Sequence, residues 1–334
     1  MAAASTRLNT RARSGDGLHP ANIARDLYQI AELVEVCFRA QLDASGRAAV
    51  REMKAIGSLG PLLLPLAVLD RVGLGLSMGY VWRAGGRVVG NTSLYRAGSH
   101  PWLGRGWFIA NVAVHPDYRR RGIARAMMLE TLAQVRRWHG DWVSLQVEAS
   151  NEGARRLYDD LGFEQFETLD QWESSGGYTE PPPPPTDWPV RLRGRDEVQA
   201  EIDLIYRRAR AGAMAWARPI TPRDIRLSAG DGWMGAGEGR RADWVLPLDD
   251  GRLGGSLWIE NLGWRRTQLS LFVDPLIEDA ALRQVLLLKV LGLAGMAGRT
   301  MRLETASGDE AIDAALLAAG FRKTRSLVQM RMVL

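Results

Sequence analysis

Cysteine, histidine and lysine are all scarce in this chain, and each shortage removes a class of function. Cys37 is the single cysteine among 334 residues, so an intramolecular disulfide framework is excluded and a reducing compartment, the cytoplasm, is expected. The four histidines, His19, His100, His115 and His139, lie far apart without ligand spacing, which argues against a metal site. Net charge is +5, yet lysine occurs only at Lys54, Lys289 and Lys323 and no long basic run appears. Nucleic acid is therefore not an expected partner. No apolar stretch approaches the roughly 20 residues that span a bilayer, so no membrane partner is expected either. The most apolar segment, Leu59 to Leu69, is interrupted by Pro61 and Pro65 and is expected to be buried or to line an acyl or acceptor pocket. Residues 1–17 are small, polar and arginine-bearing, without the apolar centre of a secretory signal, and read as a disordered tail.

What the chain does have is concentrated between residues 109 and 163. An apolar strand, Ile109-Ala110-Asn111-Val112-Ala113-Val114, runs through His115-Pro116-Asp117-Tyr118 into Arg119-Arg120-Arg121-Gly122. A helical pattern follows, with Ala124, Met128, Leu132 and Val135 at spacings of three and four. A second strand, Val143 to Glu148, leads to Asn151 and a short helix ending around Leu157 to Phe163. The first N–H groups of a helix lack intrahelical acceptors, and the helix dipole adds partial positive charge at the same end. An anion satisfies both. Gly122 lets a ligand approach the backbone, and arginines can fork onto phosphate oxygens. A strand feeding such a turn reads as a phosphate site; the plain alternative is a solvated helix start.

The run Val112 to Ala124 resembles the acetyl-CoA-binding motif of the GNAT superfamily of N-acetyltransferases, with Arg119, Gly122 and Ala124 at its defining positions. Residues Glu148 to Phe163 resemble the family's second motif, with Asn151, Ala154, Leu157, Tyr158, Gly162 and Phe163 in place. The resemblance implies that acetyl-CoA is the cosubstrate, held by the backbone of Val112, Ala113 and Val114 and by Arg119, Arg120, Arg121, Gly122, Ile123, Ala124, Arg125 and Asn151. It implies direct attack of an amine on the thioester, with the strand's N–H groups polarising the carbonyl. Tyr158 matches the family's proton donor to the coenzyme A sulfur; its plain alternative is a core aromatic. The general base departs from the pattern. The best-matched position is Gln146, which accepts no proton, and Glu148 lies two residues on, on the same strand face. Glu148 is the first candidate, against a salt-bridged role. Asn111 ordering a water and His115, which titrates in the useful range, stand behind it.

The second half of the sequence echoes the first. Gly85-Gly86 and Asp249-Asp250-Gly251 each join two strands as hairpin turns. Val114-His115-Pro116 is answered by Val273-Asp274-Pro275, and Gly162-Phe163 by Gly320-Phe321. Between them both halves read helix, strand, helix, the second over Glu278 to Gly298, Thr300 to Glu304 and Asp309 to Ala319. This reads as a tandem duplication. Where the first copy has Arg119, Arg120, Arg121 and Gly122, the second offers Glu278, Asp279, Ala280 and Ala281, and Tyr158 becomes Leu316. The second copy is expected to be degenerate and to bind no CoA in the usual way. A Ser/Gly/Pro-rich linker at 174–188, with prolines at 181–185, separates the halves.

The expected architecture is α/β: two tandem GNAT-like domains, each a mixed, mostly antiparallel sheet with a V-shaped central strand pair flanked by helices. The catalytic domain spans 18–173 and the degenerate one 189–334. The acceptor, a small-molecule or peptide amine, is left open; Trp82, Trp102 and Trp107 either line its pocket or fill the core. The chain is read as a monomer, a pseudo-dimer of its halves, or as a homodimer. The rival from another class is a non-catalytic acyl-CoA-binding regulatory or scaffold protein. Gly75-Leu76-Ser77-Met78-Gly79 fits a hydrolase elbow but precedes a strand instead of a helix. Gly237 to Ala242 imitates a dinucleotide fingerprint but also runs into a strand.

Overall fold

The computed structural model describes residues 15–42, 44–63, 78–100, 104–174, 183–184, 187–210, 241–261, 266–293 and 300–334. The expected linker at 174–188 lies mostly outside them; Trp102, Gly75 to Ser77 and Gly237 to Arg240 lie outside them altogether. The same order of elements occurs twice. The first copy comprises β1 (Gly17–Pro20), α1 (Ile23–Phe38), α2 (Ala44–Gly57), β2 (Met78–Ala84), β3 (Arg87–His100), β4 (Gly104–Val114), α3 (Ile123–Arg137), β5 (Trp142–Glu148), α4 (Glu152–Asp159) and β6 (Glu164–Ser174). The second comprises β7 (Arg191–Leu192), α5 (Val198–Arg210), β8 (Arg241–Pro247), β9 (Leu253–Asn261), β10 (Arg266–Val273), α6 (Ala280–Leu293), β11 (Thr300–Ala306), α7 (Glu310–Ala318) and β12 (Phe321–Val333). Apart from α2, the second list repeats the first. The chain is α/β and repeats one order of elements, as the expected tandem arrangement implies.

Contacts group the chain into two compact units, Met1–Val143 with Val333–Leu334, and Ser144–Met332. In the first unit β1, β2, β3 and β4 follow one another in an antiparallel sheet. The β2–β3 hairpin turns on Gly85 and Gly86, whose φ values of 59° and 80° suit the tight turn that right-twisted strands prefer. Side chains alternate across β2. Val81 packs with Ile30, Ala31, Leu33 and Val34 of α1, and Arg83 forms a buried ion pair with Asp26 of the same helix. Tyr80, one residue along, instead reaches Gln134 of α3. Gly90 allows α3 this close approach, since a Cβ there would meet Met127 Cε at 3.0 Å and Ile123 Cγ2 at 3.1 Å. The α3 stripe is broader than expected: Ile123, Met127 and Thr131 are buried along with Met128, Leu132 and Val135.

In the second unit the strand order is β5-β12-β6-β11-β10-β9-β8-β7. The strand that ends the first copy, β6, thus lies between two strands of the second copy and pairs antiparallel with each. On its other side β11 pairs with β10, parallel, from Arg266/Thr300 only as far as Ser270/Glu304, the splayed pair of the expected fold. The core beneath is apolar and contiguous, with Leu269, Leu271, Leu286, Val290, Leu303 and Leu316 among its buried members.

One expectation needs correction. Leu59 and Leu62 are 49% and 78% exposed, so the start of the apolar 59–69 segment is at the surface; Leu63 is buried, and residues 64–69 lie outside the described part. The short helix stops at Asp159, inside the stretch where it was expected to end, and Leu161 N and Gly162 N turn back onto Tyr158 O and Asp159 O at 3.1 and 2.9 Å.

Candidate functional site

The turn after β4 is prepared inside the strand. Asn91 faces Ala113 and Ser93 faces Ala110, so Asn111 and Val112 together oppose Thr92. This is a β-bulge, which drops its extra residue from the ladder and sharpens the local twist. Asn111 takes φ 51°, a left-handed conformation that asparagine tolerates better than most residues. The buried Asn91 holds it there, its Nδ2 donating to Asn111 O at 3.0 Å and to Ser93 Oγ at 3.1 Å. Val112, assigned by resemblance to the thioester, is thereby released from β3. Asn91 and Ser93 escaped the sequence reading; the usable signal was the polar run Asn91-Thr92-Ser93 following Val88-Val89 in β3. In the second copy β9 and β10 pair without a register shift.

Beyond Val114 the chain makes a 3-10 turn over Pro116–Tyr118. His115 serves this turn: its N–H donates to Val89 O at 2.8 Å, and its Nδ1 accepts from Asp117 N at 3.4 Å. Arg119 Nε donates to Val114 O at 3.1 Å, and Arg121 Nη2 donates to Asp117 O at 2.8 Å while its guanidinium lies 5.0 Å from the Tyr118 ring centre. The arginines thus tie the turn together as well as charging it. Arg120 and Gly122 are left-handed, at φ 59° and 75°.

The first intrahelical bond of α3 runs from Ala126 N to Gly122 O at 3.0 Å. Ile123, Ala124 and Arg125 therefore have N–H groups without helical acceptors, and Gly122 offers no side-chain cap. A Cβ at Gly122 would meet nothing within 4 Å; the space beside this helix end is open. Arg119, Arg120, Arg121 and Arg125 are exposed around it. Orphan donors, a dipole terminus and four cations together suit a diphosphate.

The corresponding turn of the second copy is closed by its own chain. Asp279 Oδ1 accepts from Ala281 N at 2.8 Å and Leu282 N at 3.4 Å. Asp279 precedes α6 as Gly122 precedes α3, so the sequence match, which set Ala281 against Gly122, shifts by two residues. Arg283 of α6 forms an ion pair with Asp309.

The remaining candidates sit in the unit beginning at Ser144. Asn151 caps α4, its Oδ1 accepting from Ala154 N at 3.2 Å. Tyr158 is buried, with its ring tilted against Phe163 at 5.9 Å. Burial raises its phenol well above the ordinary range, so the proton stays on. Glu148 is ion-paired with Arg325 of β12 at 3.4 Å. Trp107 is buried and stacked on Trp138 at 4.8 Å, a core role, while Trp82 is half-buried. Burial likewise raises the Cys37 thiol, with Arg119 opposing. Among the described residues no cluster of side chains could hold a metal ion, and no helix is long and apolar enough to cross a membrane.

Known proteins resemble parts of this chain. Residues 62–163 match the Acetyltransferase (GNAT) family. The chain is 38% identical over 55 residues to the [Ribosomal protein bS18]-alanine N-acetyltransferase of Escherichia coli, covering 16% of this chain and 37% of that one. It is 40% identical over 57 residues to the mycothiol acetyltransferase of Nocardiopsis dassonvillei, covering 17% of each. These matches thus span well under half the length of either relative. A GCN5-related N-acetyltransferase from Sphaerobacter thermophilus shares the fold at TM-score 0.56 and 17% identity, over 95% of both chains. A tandem GNAT protein from the clavulanic acid biosynthesis pathway does so at TM-score 0.50 and 18% identity, over 95% of this chain and 98% of that one. Residues 62–163 thus carry the likeness to the Acetyltransferase (GNAT) family, and the fold around them is shared with a GCN5-related N-acetyltransferase.

Proposed function

We propose that the protein is an acetyl-CoA-dependent N-acetyltransferase that moves an acetyl group to a primary amine by direct attack. The supporting observation is the open helix end at Gly122, where three N–H groups lack acceptors among exposed arginines. In this reading Arg119 to Arg125 hold the CoA diphosphate, and the backbone of Val112 to Val114 polarises the thioester carbonyl. The amine nitrogen bonds to the carbonyl carbon and the C–S bond breaks. Glu148 takes the ammonium proton, directly or through a water, and Tyr158 gives its proton to the departing thiolate. The burial that holds the phenol protonated also makes a desolvated thiolate more basic, which favours the transfer. Asn151 caps α4 and contacts the CoA arm. Residues 18–173 are the catalytic copy, 174–188 the linker and 189–334 the supporting copy, so one chain supplies its own pseudo-dimer in the cytoplasm. The acceptor is a small amine or a peptide N-terminus, the latter being what the ribosomal relative's name describes.

The test is calorimetry with acetyl-CoA on the full chain, followed by thiol release from acetyl-CoA with a mixture of polyamines, amino acids, aminoglycosides and an alanine-ended peptide. Binding with amine-dependent release is expected; no heat with acetyl-CoA overturns the reading. One observation favours a second reading, the non-catalytic acyl-CoA-binding protein: Gln146 accepts no proton, and Glu148 is held by Arg325. Heat without release from any amine would select it.

A further inference from the structure

Four polar side chains, one from each of four neighbouring strands, form a continuous chain across the second unit. Glu304 of β11 and Arg325 of β12 stand directly opposite Gln171 of β6, on its two sides. Gln171 Nε2 donates to Glu304 Oε1, Arg325 Nε donates to Gln171 Oε1 at 2.5 Å, and Arg325 Nη1 reaches Glu148 Oε1 of β5 at 3.4 Å. The chemistry fixes every link. A carboxylate only accepts, so Glu304 must draw the amide nitrogen of Gln171 and turn its oxygen towards β12. That oxygen can take only a donor, which sets the guanidinium, and the guanidinium then presents its other nitrogens to Glu148. Glu304 also occupies the position that Gln146 occupies in the first copy, since Asn151 and Asp309 cap their helices alike and each follows its residue by five. The copy with a closed phosphate turn thus keeps a carboxylate where the other has none.

We infer that Arg325, oriented through Gln171 by Glu304, is a positioning residue that the second copy supplies to the carboxylate of Glu148. The arrangement exists because β6 and β12 are exchanged between copies: Arg325 reaches Glu148 only because β12 lies beside β5. The degenerate copy therefore contributes to the acetyl-transfer step without binding CoA. Arg325 holds Glu148 in one rotamer at a fixed place on β5. The inference rests on Glu148 being the base proposed above.

The experiment is a double-mutant cycle on the full chain, with thiol release from acetyl-CoA in the amine mixture as the rate and urea unfolding as the check on folding. Glu148→Gln is expected to lower kcat about 10²-fold, within the usual span for a lost general base. Arg325→Gln is expected to lower kcat roughly ten-fold, the effect of one charge-assisted hydrogen bond, with the acetyl-CoA KM within about two-fold. Arg325→Lys should recover part of the loss, and Arg325→Gln should add nothing in the Glu148→Gln background. Arg325→Met, which keeps the aliphatic stem, serves if the glutamine variant unfolds. An equal loss from Arg325→Gln on both backgrounds, or a slow Glu148→Gln enzyme beside an unimpaired Arg325→Gln enzyme, overturns this inference alone. A fully active Glu148→Gln enzyme overturns the base assignment and with it the role of Arg325.

Discussion

After β4 three helix N–H groups have no side-chain acceptor, and after β10 two of the equivalent groups bond the carboxylate of Asp279. The two turns hold equivalent places in the repeated order of elements and face one problem, the unsatisfied donors at a helix start. The second solves it internally, with a cap that would compete with any anion and repel it. The first leaves it open, at a turn with a left-handed glycine and a left-handed arginine. The two turns differ by more than arginines: in the second, a carboxylate of the chain itself stands where an anion would bind.

The largest expected effect comes from moving the closed solution into the open turn. Gly122→Asp places a carboxylate at the end of α3, and a unit charge near a diphosphate costs on the order of 1–4 kcal/mol between water and a protein-surface dielectric. Acetyl-CoA affinity by calorimetry should fall about 10²-fold, at the middle of that span. Gly122→Asn is the control, equally bulky and tolerant of the left-handed region but uncharged. If both variants bind alike, backbone strain and not charge separates the two turns.

Next in size is Tyr158→Phe. The second copy has Leu316 there, buried in its core, so the comparison asks whether the first copy keeps a phenol for packing or for its proton. Loss of a general acid should lower kcat about 10²-fold and leave acetyl-CoA KM unchanged. An unaltered kcat would make Tyr158 a core residue like its counterpart.

The charges of the second unit should instead appear in stability. Asp170 is buried, which alone would raise its carboxyl, but hydrogen bonds from Lys323, Ser326 and Ser307 outweigh this and hold it below the usual carboxylate range. A depressed acid contributes stability above its unfolded pKa and loses it as pH falls through the folded one. The urea midpoint should therefore decline below the ordinary aspartate range, and decline less in Asp170→Asn. An unchanged slope would show that this pair carries none of the acid sensitivity.

Much of the fold was legible because it is local. The hairpin at Gly85-Gly86, the helix starts at Asn151 and Asp309, and the strand-to-helix order of both copies follow from neighbouring residues. The strand-to-helix turn at Gly122 was legible for the same reason. The exchange of β6 and β12 was not, since strand pairing across 153 to 154 residues, as at Lys323 with Asp170 and Arg325 with Gln171, leaves no periodic trace. Arg325 was therefore invisible as a neighbour of Glu148, although a salt-bridged Glu148 had been weighed. The bulge at Asn111 lay between these cases: its residue was seen, but its partner Asn91 sits on another strand.

The smallest expected effect tests the closed turn directly. Removing a side-chain N-cap typically costs about 1 kcal/mol, so Asp279→Ala should lower urea stability by roughly that amount, one of its two acceptor bonds being long at 3.4 Å. The variant also reopens the donors of Ala281 and Leu282. Even so, calorimetry should register no second acetyl-CoA site, because Glu278 remains beside the turn, β10 lacks the bulge that frees Val112 in the first copy, and no arginine run faces the opened end. Two molecules of acetyl-CoA bound per Asp279→Ala chain would mean that the cap alone had silenced the second copy, and that its bulge and arginines were dispensable.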